Sequence, residues 1–224
     1  MTNNQKKITP IQKVQVETDH YYYRYDTLSR FVSYFYQIDL TRALEPASVL
    51  EIGIGNKTVT NYLRQHAIHV TTCDFDKTLN PDYIADIRNL PFNENEFEVV
   101  LAFEVLEHLP WNDVDNALLE LNKVTSKSAI ISLPYHAAKF ELIIKIPLIN
   151  ILFKREFLDL FFRIPYSFHR IKFKGEHYWE IGYKGFPISL VRQKILTYFD
   201  IIKEVRPIMS TCHHFFVLKK KQIK

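Results

Sequence analysis

The chain has 224 residues, with 29 Lys and Arg against 25 Asp and Glu, a net charge of +4 that fits one domain and does not by itself mark a nucleic-acid protein. Hydrophobic residues make up 47% and charged residues 24%, enough apolar material for a sizeable core. Two cysteines without a CxxC pair, Cys73 and Cys212, imply neither a disulfide framework nor a thiolate zinc site. Met1 to Pro10 lacks the apolar core of a secretory signal. The most apolar run, residues 142–153, is interrupted by Lys145 and Pro147 and too short to span a bilayer, so a soluble, cytoplasmic protein is expected.

In chain order, residues 1–16 read as a polar lead-in. Residues 17–45 carry apolar and aromatic side chains at helical spacing and predict one or two helices. From 46 to 133 the pattern changes to short apolar strands, "SVLEI", "IHVTTC", "YIA", "FEVVLAF" and "SAIISL", with helical runs at 57–66 and 113–125. That alternation predicts a parallel sheet covered on both faces. Residues 134–187 break the alternation and read as an inserted cap over a substrate. Within it, 139–174 holds eight Lys or Arg, three Asp or Glu and eight Phe or Tyr, and its spacing suggests an amphipathic helical lid. Such a segment could also rest on a membrane surface. Residues 188–224 predict a helix followed by two antiparallel strands at a sheet edge. The whole reads as a single domain.

The turn after "SVLEI" carries Gly53 and Gly55 and opens a helix, a layout that cradles nucleotides. No GxxxxGK[ST] is present, and a GxGxxG fingerprint would need glycine where Thr58 stands. Glu51 lies at the mouth of the same turn, where a carboxylate repels pyrophosphate and attracts a cation. A ligand with positive charge beside an adenosine and no phosphate fits better, which points to S-adenosylmethionine. Asp74, 21 residues after Gly53 and at the end of the second strand, is placed to accept ribose hydroxyls, with Asp76 as its competitor. Asp86 is placed for the adenine amino group, Phe75 and Ile87 for its ring, and Phe103 with the following "EVLEHL" for the methionine end.

These stretches, "VLEIGIG", "VTTCDFD", "ADIRNLPF", "FEVVLAFEVLEHL" and later "EHYWEIG", resemble the class I S-adenosylmethionine-dependent methyltransferases. The resemblance implies a Rossmann-like, doubly wound α/β sheet of seven strands, the last antiparallel, and methyl transfer as the reaction. It assigns Glu51, Gly53 and Gly55 to the methionine end, Asp74 to ribose, and Asp86 with Ile87 to adenine. One departure is Lys57, where the family often has a third glycine.

Methyl transfer is an in-line displacement that needs positioning and sometimes a base. His108 and His136 are the base candidates, although His108 is better placed to fix a turn than to act as base. His177, Tyr178 and Trp179 are candidates for an acceptor wall. In "CHHFF" the adjacent histidines face opposite sides of a strand, so no metal is expected. A [DNS]PP[YFW] loop and a Pro-Cys nucleophile are both missing, which disfavours DNA. A small-molecule acceptor, of sugar or lipid-linked type, is the leading expectation. RNA or protein methylation and a non-catalytic cofactor-binding module are the alternatives.

Overall fold

In a computed structural model, the structure describes residues 21, 25–147, 151, 154, 156–166, 168–173 and 176–222. The lead-in and most of "DHYYYRY" lie outside the described residues. The first helix, α1 (Leu28–Arg42), starts where the Thr27 hydroxyl accepts from Arg30 N–H, and buries Ser33, Tyr34, Gln37, Leu40 and Thr41 at helical spacing. Then come β1 (Ser48–Ile52), α2 (Thr58–Gln65), β2 (His69–Asp74), β3 (Tyr83–Ile84), β4 (Phe97–Phe103), α3 (Val114–Val124) and β5 (Thr125–Pro134). After β6 (Ala137–Ile144) and β7 (Leu158–Pro165), the chain closes with α4 (Ile188–Tyr198), β8 (Phe199–Val205) and β9 (His213–Lys220).

The main sheet has seven strands in the order β3-β2-β1-β4-β5-β9-β8. The β3-β2-β1-β4-β5 ladders are parallel, and β9 runs antiparallel to both β5 and β8. Period-two alternation feeds two cores. Val49, Val99, Leu101, Ile130 and Phe215 face α1 and α2, while Leu50, Val100, Ala102, Ile131 and Phe216 face the α3 and α4 side. Because β2 and β3 lie on one side of β1 and β4 on the other, the chain reverses direction between β1 and β4. A crevice opens there at the carboxyl ends of the strands.

The expected helical lid is corrected: both arms of the insertion are strands. β6 and β7 pair antiparallel as a separate two-stranded ribbon, with Phe140 opposite Phe162 and Leu142 opposite Leu160. One face exposes Phe140, Leu142, Ile144, Leu160, Phe162 and Ile164. The other is tied to the body by Arg206, whose guanidinium bonds Glu141 at 2.7 Å and also holds Asp159. The alternation of charged and apolar residues suits a ladder whose faces differ, which a helix would have mixed.

Candidate active site

A cavity of about 320 Å³ occupies the crevice at the switch point. Its floor is the turn after β1. Gly53 has φ +77°, and a Cβ there would stand 2.4 Å from Val105 Cγ2. Only glycine fits that combination of left-handed backbone and close approach. Gly53 N–H donates to Cys73 C=O at 3.0 Å, and Ile54 N–H to Asp74 Oδ2 at 3.0 Å. Asp74 Oδ1 accepts from Asp76 N–H at 2.9 Å, so this one carboxylate holds both the glycine turn and its own loop. Asp76 is turned to Thr78, whose N–H and hydroxyl it accepts at 2.8 and 2.6 Å.

Lys57 occupies the family's third glycine position with φ +62°, and its Nζ donates to Asn80 C=O at 2.7 Å. It is absent from the described cavity lining. The departure from glycine therefore does not crowd the site.

The cavity is rich in carboxylates. Glu51, Asp74, Asp76, Asp86, Glu104 and Glu107 all line it, against the guanidinium of Arg30. Burial pushes the Glu51 carboxyl up to about 7, opposed by a bond from the Thr60 hydroxyl. Burial likewise holds Asp74 above its usual range, against the backbone amides that lower it. Buried carboxylates that resist ionisation gain from a cationic ligand. Together with a cradle that a Cβ would fill, this donor set fits the sulfonium and ammonium of S-adenosylmethionine and opposes a pyrophosphate.

Glu51, Gly53, Gly55, Asp74, Phe75, Asp86, Ile87, Phe103, His108 and His177 all line this cavity. Asp86 does so with its carboxylate gripped by Arg88, at 2.9 Å from Nε and 2.6 Å from Nη2. Arg88 also bonds Asp113 at 2.6 Å. Asp86 thus fixes the loop that presents Ile87, and these bonds leave Oδ2 room to accept from an adenine amino group.

Three other candidates sit elsewhere. His136 is stacked on Tyr183 at 4.3 Å, outside the described lining. Trp179 is 1% exposed, packed edge-on to Trp111 at 4.7 Å, and belongs to the core. Tyr178 stacks on Phe173 at 4.2 Å. Trp179 is expected from sequence at an acceptor wall with Tyr178, on the segment that leads back to the sheet. Yet Ile181 bridges to Tyr135 beside β5, which draws the whole return loop inward.

Burial, aided by His177, pushes His108 down to about 4, and its Nδ1 meets Glu176 C=O at 3.2 Å. For His177, burial disfavours the proton, but the Glu180 carboxylate at 2.8 Å outweighs it and raises the pKa. Sequence reasoning passed over Arg30, Tyr34 and Gln37, all in the lining, and placed Glu104 and Glu107 there only as part of the run "EVLEHL", without a role of their own. Glu104 and Glu107 carried a usable signal: acids immediately after a strand end, one of them directly before a histidine.

The model of the methyltransferase domain family matches residues 50–133, the stretch that builds this cavity from β1 through β5. That segment is a class I S-adenosylmethionine-dependent methyltransferase domain. The chain shares its fold with a Burkholderia thailandensis 1,6-didemethyltoxoflavin-N1-methyltransferase bound to 1,6-didemethyltoxoflavin and S-adenosylhomocysteine. TM-score is 0.57 and identity 13%, over 91% of this chain and 85% of that one. It is also similar to the N-methyltransferase NodS from Bradyrhizobium japonicum WM9 with S-adenosylhomocysteine, at TM-score 0.54 and 11% identity, over 88% and 90% of the chains. A third similar structure is magnesium protoporphyrin IX methyltransferase (ChlM) from Synechocystis PCC 6803 with bound S-adenosylhomocysteine, at 0.55 and 13%, over 86% and 83%. No curated protein matches the methyltransferase in sequence. All three of these structures hold S-adenosylhomocysteine, consistent with S-adenosylmethionine as the cofactor that the donor set of this cavity fits.

Proposed function

We propose that this methyltransferase acts on an oxygen or nitrogen atom of a small, apolar or lipid-linked acceptor. The observation that carries the acceptor class is the ribbon β6–β7, which leaves the sheet directly after β5, at the edge where the cavity lies. Its exposed face presents Phe140, Leu142, Leu160 and Phe162, with Leu160 and Phe162 more than half exposed at 59% and 57%. A contiguous apolar face on the surface suits a lipid tail or a membrane interface. The +5 charge of 139–174 favours an anionic lipid surface. Among the described residues, no helix is long and apolar enough to cross a membrane, so the contact is read as peripheral. The three similar proteins named above include two N-methyltransferases and a protoporphyrin methyltransferase, which supports a small-molecule acceptor.

When bound, S-adenosylmethionine supplies a methyl group made electrophilic by its sulfonium. Glu51 and the turn Gly53–Gly55 would hold its methionine end, and the loop after β2, fixed by Asp74, its ribose. Ile87 and Phe75 would flank its adenine. Tyr21 and Tyr25, ring centroids 5.3 Å apart, line the cavity with α1 and limit water's access. The chain's contribution is thus largely orientation of two reactants. Lys57, where the family often has a third glycine, is directed to Asn80 and gives no support to a non-catalytic module.

The test is tritium transfer from labelled cofactor into fractionated cell extracts. Label in the organic-soluble fraction is expected. Label confined to RNA, protein or water-soluble metabolites would overturn the acceptor class while leaving the cofactor assignment intact.

A further inference from the structure

The cavity wall holds three side chains, Glu107, His108 and His177, with no evident task in gripping the cofactor. Glu107 and His108 sit on the 3-10 turn Leu106–His108 that follows β4. His177 comes from the return loop, seventy residues along the chain. One ligand-capable atom from each lies within 4.8 Å of the others. Two bonds staple the segments together: Tyr178 N–H donates to Glu107 C=O at 2.9 Å, and His108 Nδ1 to Glu176 C=O at 3.2 Å.

The hydrogen bonds of the two imidazoles set their tautomers. His108 Nδ1 faces a carbonyl and His177 Nδ1 a carboxylate, at 3.2 and 2.8 Å. Both partners can only accept, so Nδ1 carries the proton in each ring and the lone pair of the neutral form lies on Nε2. An outer acceptor on one nitrogen, orienting the other, is the usual second shell of a metal-ligating histidine.

Glu107 supplies the independent observation. It is 0% exposed, and neither carboxylate oxygen has a hydrogen-bond partner among the described residues, although its own amide exerts a favourable pull. Protonation would not remove the deficit, because a buried carboxylic acid still carries an O–H in need of an acceptor. A cation would satisfy it outright.

We propose that Glu107, His108 and His177 bind a divalent transition-metal ion in the wall of the cavity. Two imidazoles and one carboxylate suit zinc, manganese, iron or cobalt better than magnesium or calcium, which prefer all-oxygen shells. Three protein ligands leave coordination positions open toward the cavity, as in sites that act on a ligand rather than staple a fold. Resting on the methyl-transfer reading, the open positions suit an acceptor hydroxyl. A divalent ion makes that hydroxyl more acidic, and its proton leaves to water. The oxygen then forms the new O–CH₃ bond. The S–CH₃ bond breaks with its electron pair on sulfur, leaving a neutral thioether.

The experiment adds Co²⁺ to chelator-stripped full-length protein and follows visible absorption. A saturable band at one equivalent is expected. It should disappear in His108→Ala and His177→Ala and persist in His136→Ala, whose ring stacks outside the cavity. Glu180→Gln, which alters the outer partner of His177, should weaken cobalt binding about 10–100-fold. Glu107 is wholly buried, so the test rests on His177, whose side chain is 27% exposed and tolerates replacement in a folded chain. Absence of a saturable band in folded protein overturns the proposal, and so does a band that survives loss of both histidines. Calorimetry with S-adenosylhomocysteine on the same sample separates the two readings. Cofactor binding without cobalt binding sinks the metal site alone, and cobalt binding without cofactor sinks the methyl-transfer reading alone.

Discussion

Asp74 Oδ2 accepts from the backbone N–H of Ile54 at 3.0 Å, so the end of β2 holds shut the glycine turn that follows β1. The same carboxylate accepts from Asp76 N–H at 2.9 Å. Asp74→Ala leaves two buried amides without acceptors, at about 1–3 kcal/mol each. We expect a clear fall in melting temperature and at least a tenfold loss of S-adenosylhomocysteine affinity by calorimetry, about 1.4 kcal/mol. Asp76→Ala removes only the Thr78 cap and should cost affinity less than about threefold, under 0.7 kcal/mol. The reverse order would reassign the ribose contact to Asp76.

Gly53→Ala brings a methyl group to within 2.4 Å of Val105 Cγ2 at φ +77°. The left-handed backbone alone costs about 1–2 kcal/mol for a residue with a Cβ. Cofactor affinity should fall by more than tenfold, at least about 1.4 kcal/mol. Val105→Ala in the same chain should recover the steric part and not the backbone part. A double-mutant cycle on unfolding free energy measures that coupling, and strictly additive losses would contradict it.

Lys57→Gly should leave S-adenosylhomocysteine affinity within about threefold of the parent, under 0.7 kcal/mol. Its ammonium bonds Asn80 C=O at 2.7 Å and does not reach the cavity. Stability should change little, because relief at φ +62° is offset by the greater freedom glycine brings to the unfolded chain. A large gain in affinity would show that the lysine obstructs the cofactor.

Glu51 gives a pH signature. Burial raises its carboxyl to about 7 in the folded chain, whereas an unfolded glutamate titrates near about 4.3. Between those values the folded state keeps a proton that the unfolded state has lost, so stability falls as pH rises through the window. A cationic ligand beside the ionised carboxylate offsets that loss. The rise in melting temperature on adding S-adenosylmethionine should therefore be larger at about pH 8 than at about pH 5.5. Glu51→Gln should flatten the difference, as thermal scans at both pH values would show.

Leu160→Asp and Phe162→Ser on the exposed ribbon face should abolish sedimentation with anionic lipid vesicles and leave the far-UV spectrum unchanged. These side chains are 59% and 57% exposed and contribute little to the core. Vesicle binding that survives both changes would remove the ribbon from the acceptor argument.

The seven-stranded sheet was legible because short, nearly continuous apolar runs such as Val49–Ile52 and Phe97–Phe103 are buried on both faces, and helices fall between them. The glycine turn and the acids at strand ends were legible for the same reason, since topology alone brings them together. The ribbon was not. An apolar stripe at Phe140, Leu142, Leu160 and Phe162 stays in solvent, while Glu141 and Asp159 turn inward to Arg206, inverting the usual pattern. Pattern reading assumes that apolar faces seek the core, and here ion pairs do the docking. Trp179 misled for the opposite reason: an aromatic in an irregular loop resembled a wall for substrate but fills a hole beside Trp111. Glu107 was legible as part of a run at the methionine end, but that it is wholly buried with both oxygens unpartnered among the described residues shows only in the fold.

Strand β9 is threaded between β5 and β8, pairing Ser128–Pro134 on one side and Phe199–Val205 on the other. While a ribosome is still making residues 213–220, the long edge of β5 has no neighbour, and Phe215, Phe216 and Leu218 are not yet present to fill both cores. The sheet therefore cannot close until synthesis has passed this point, and a nascent chain stalled earlier would present a naked ladder to any passing strand.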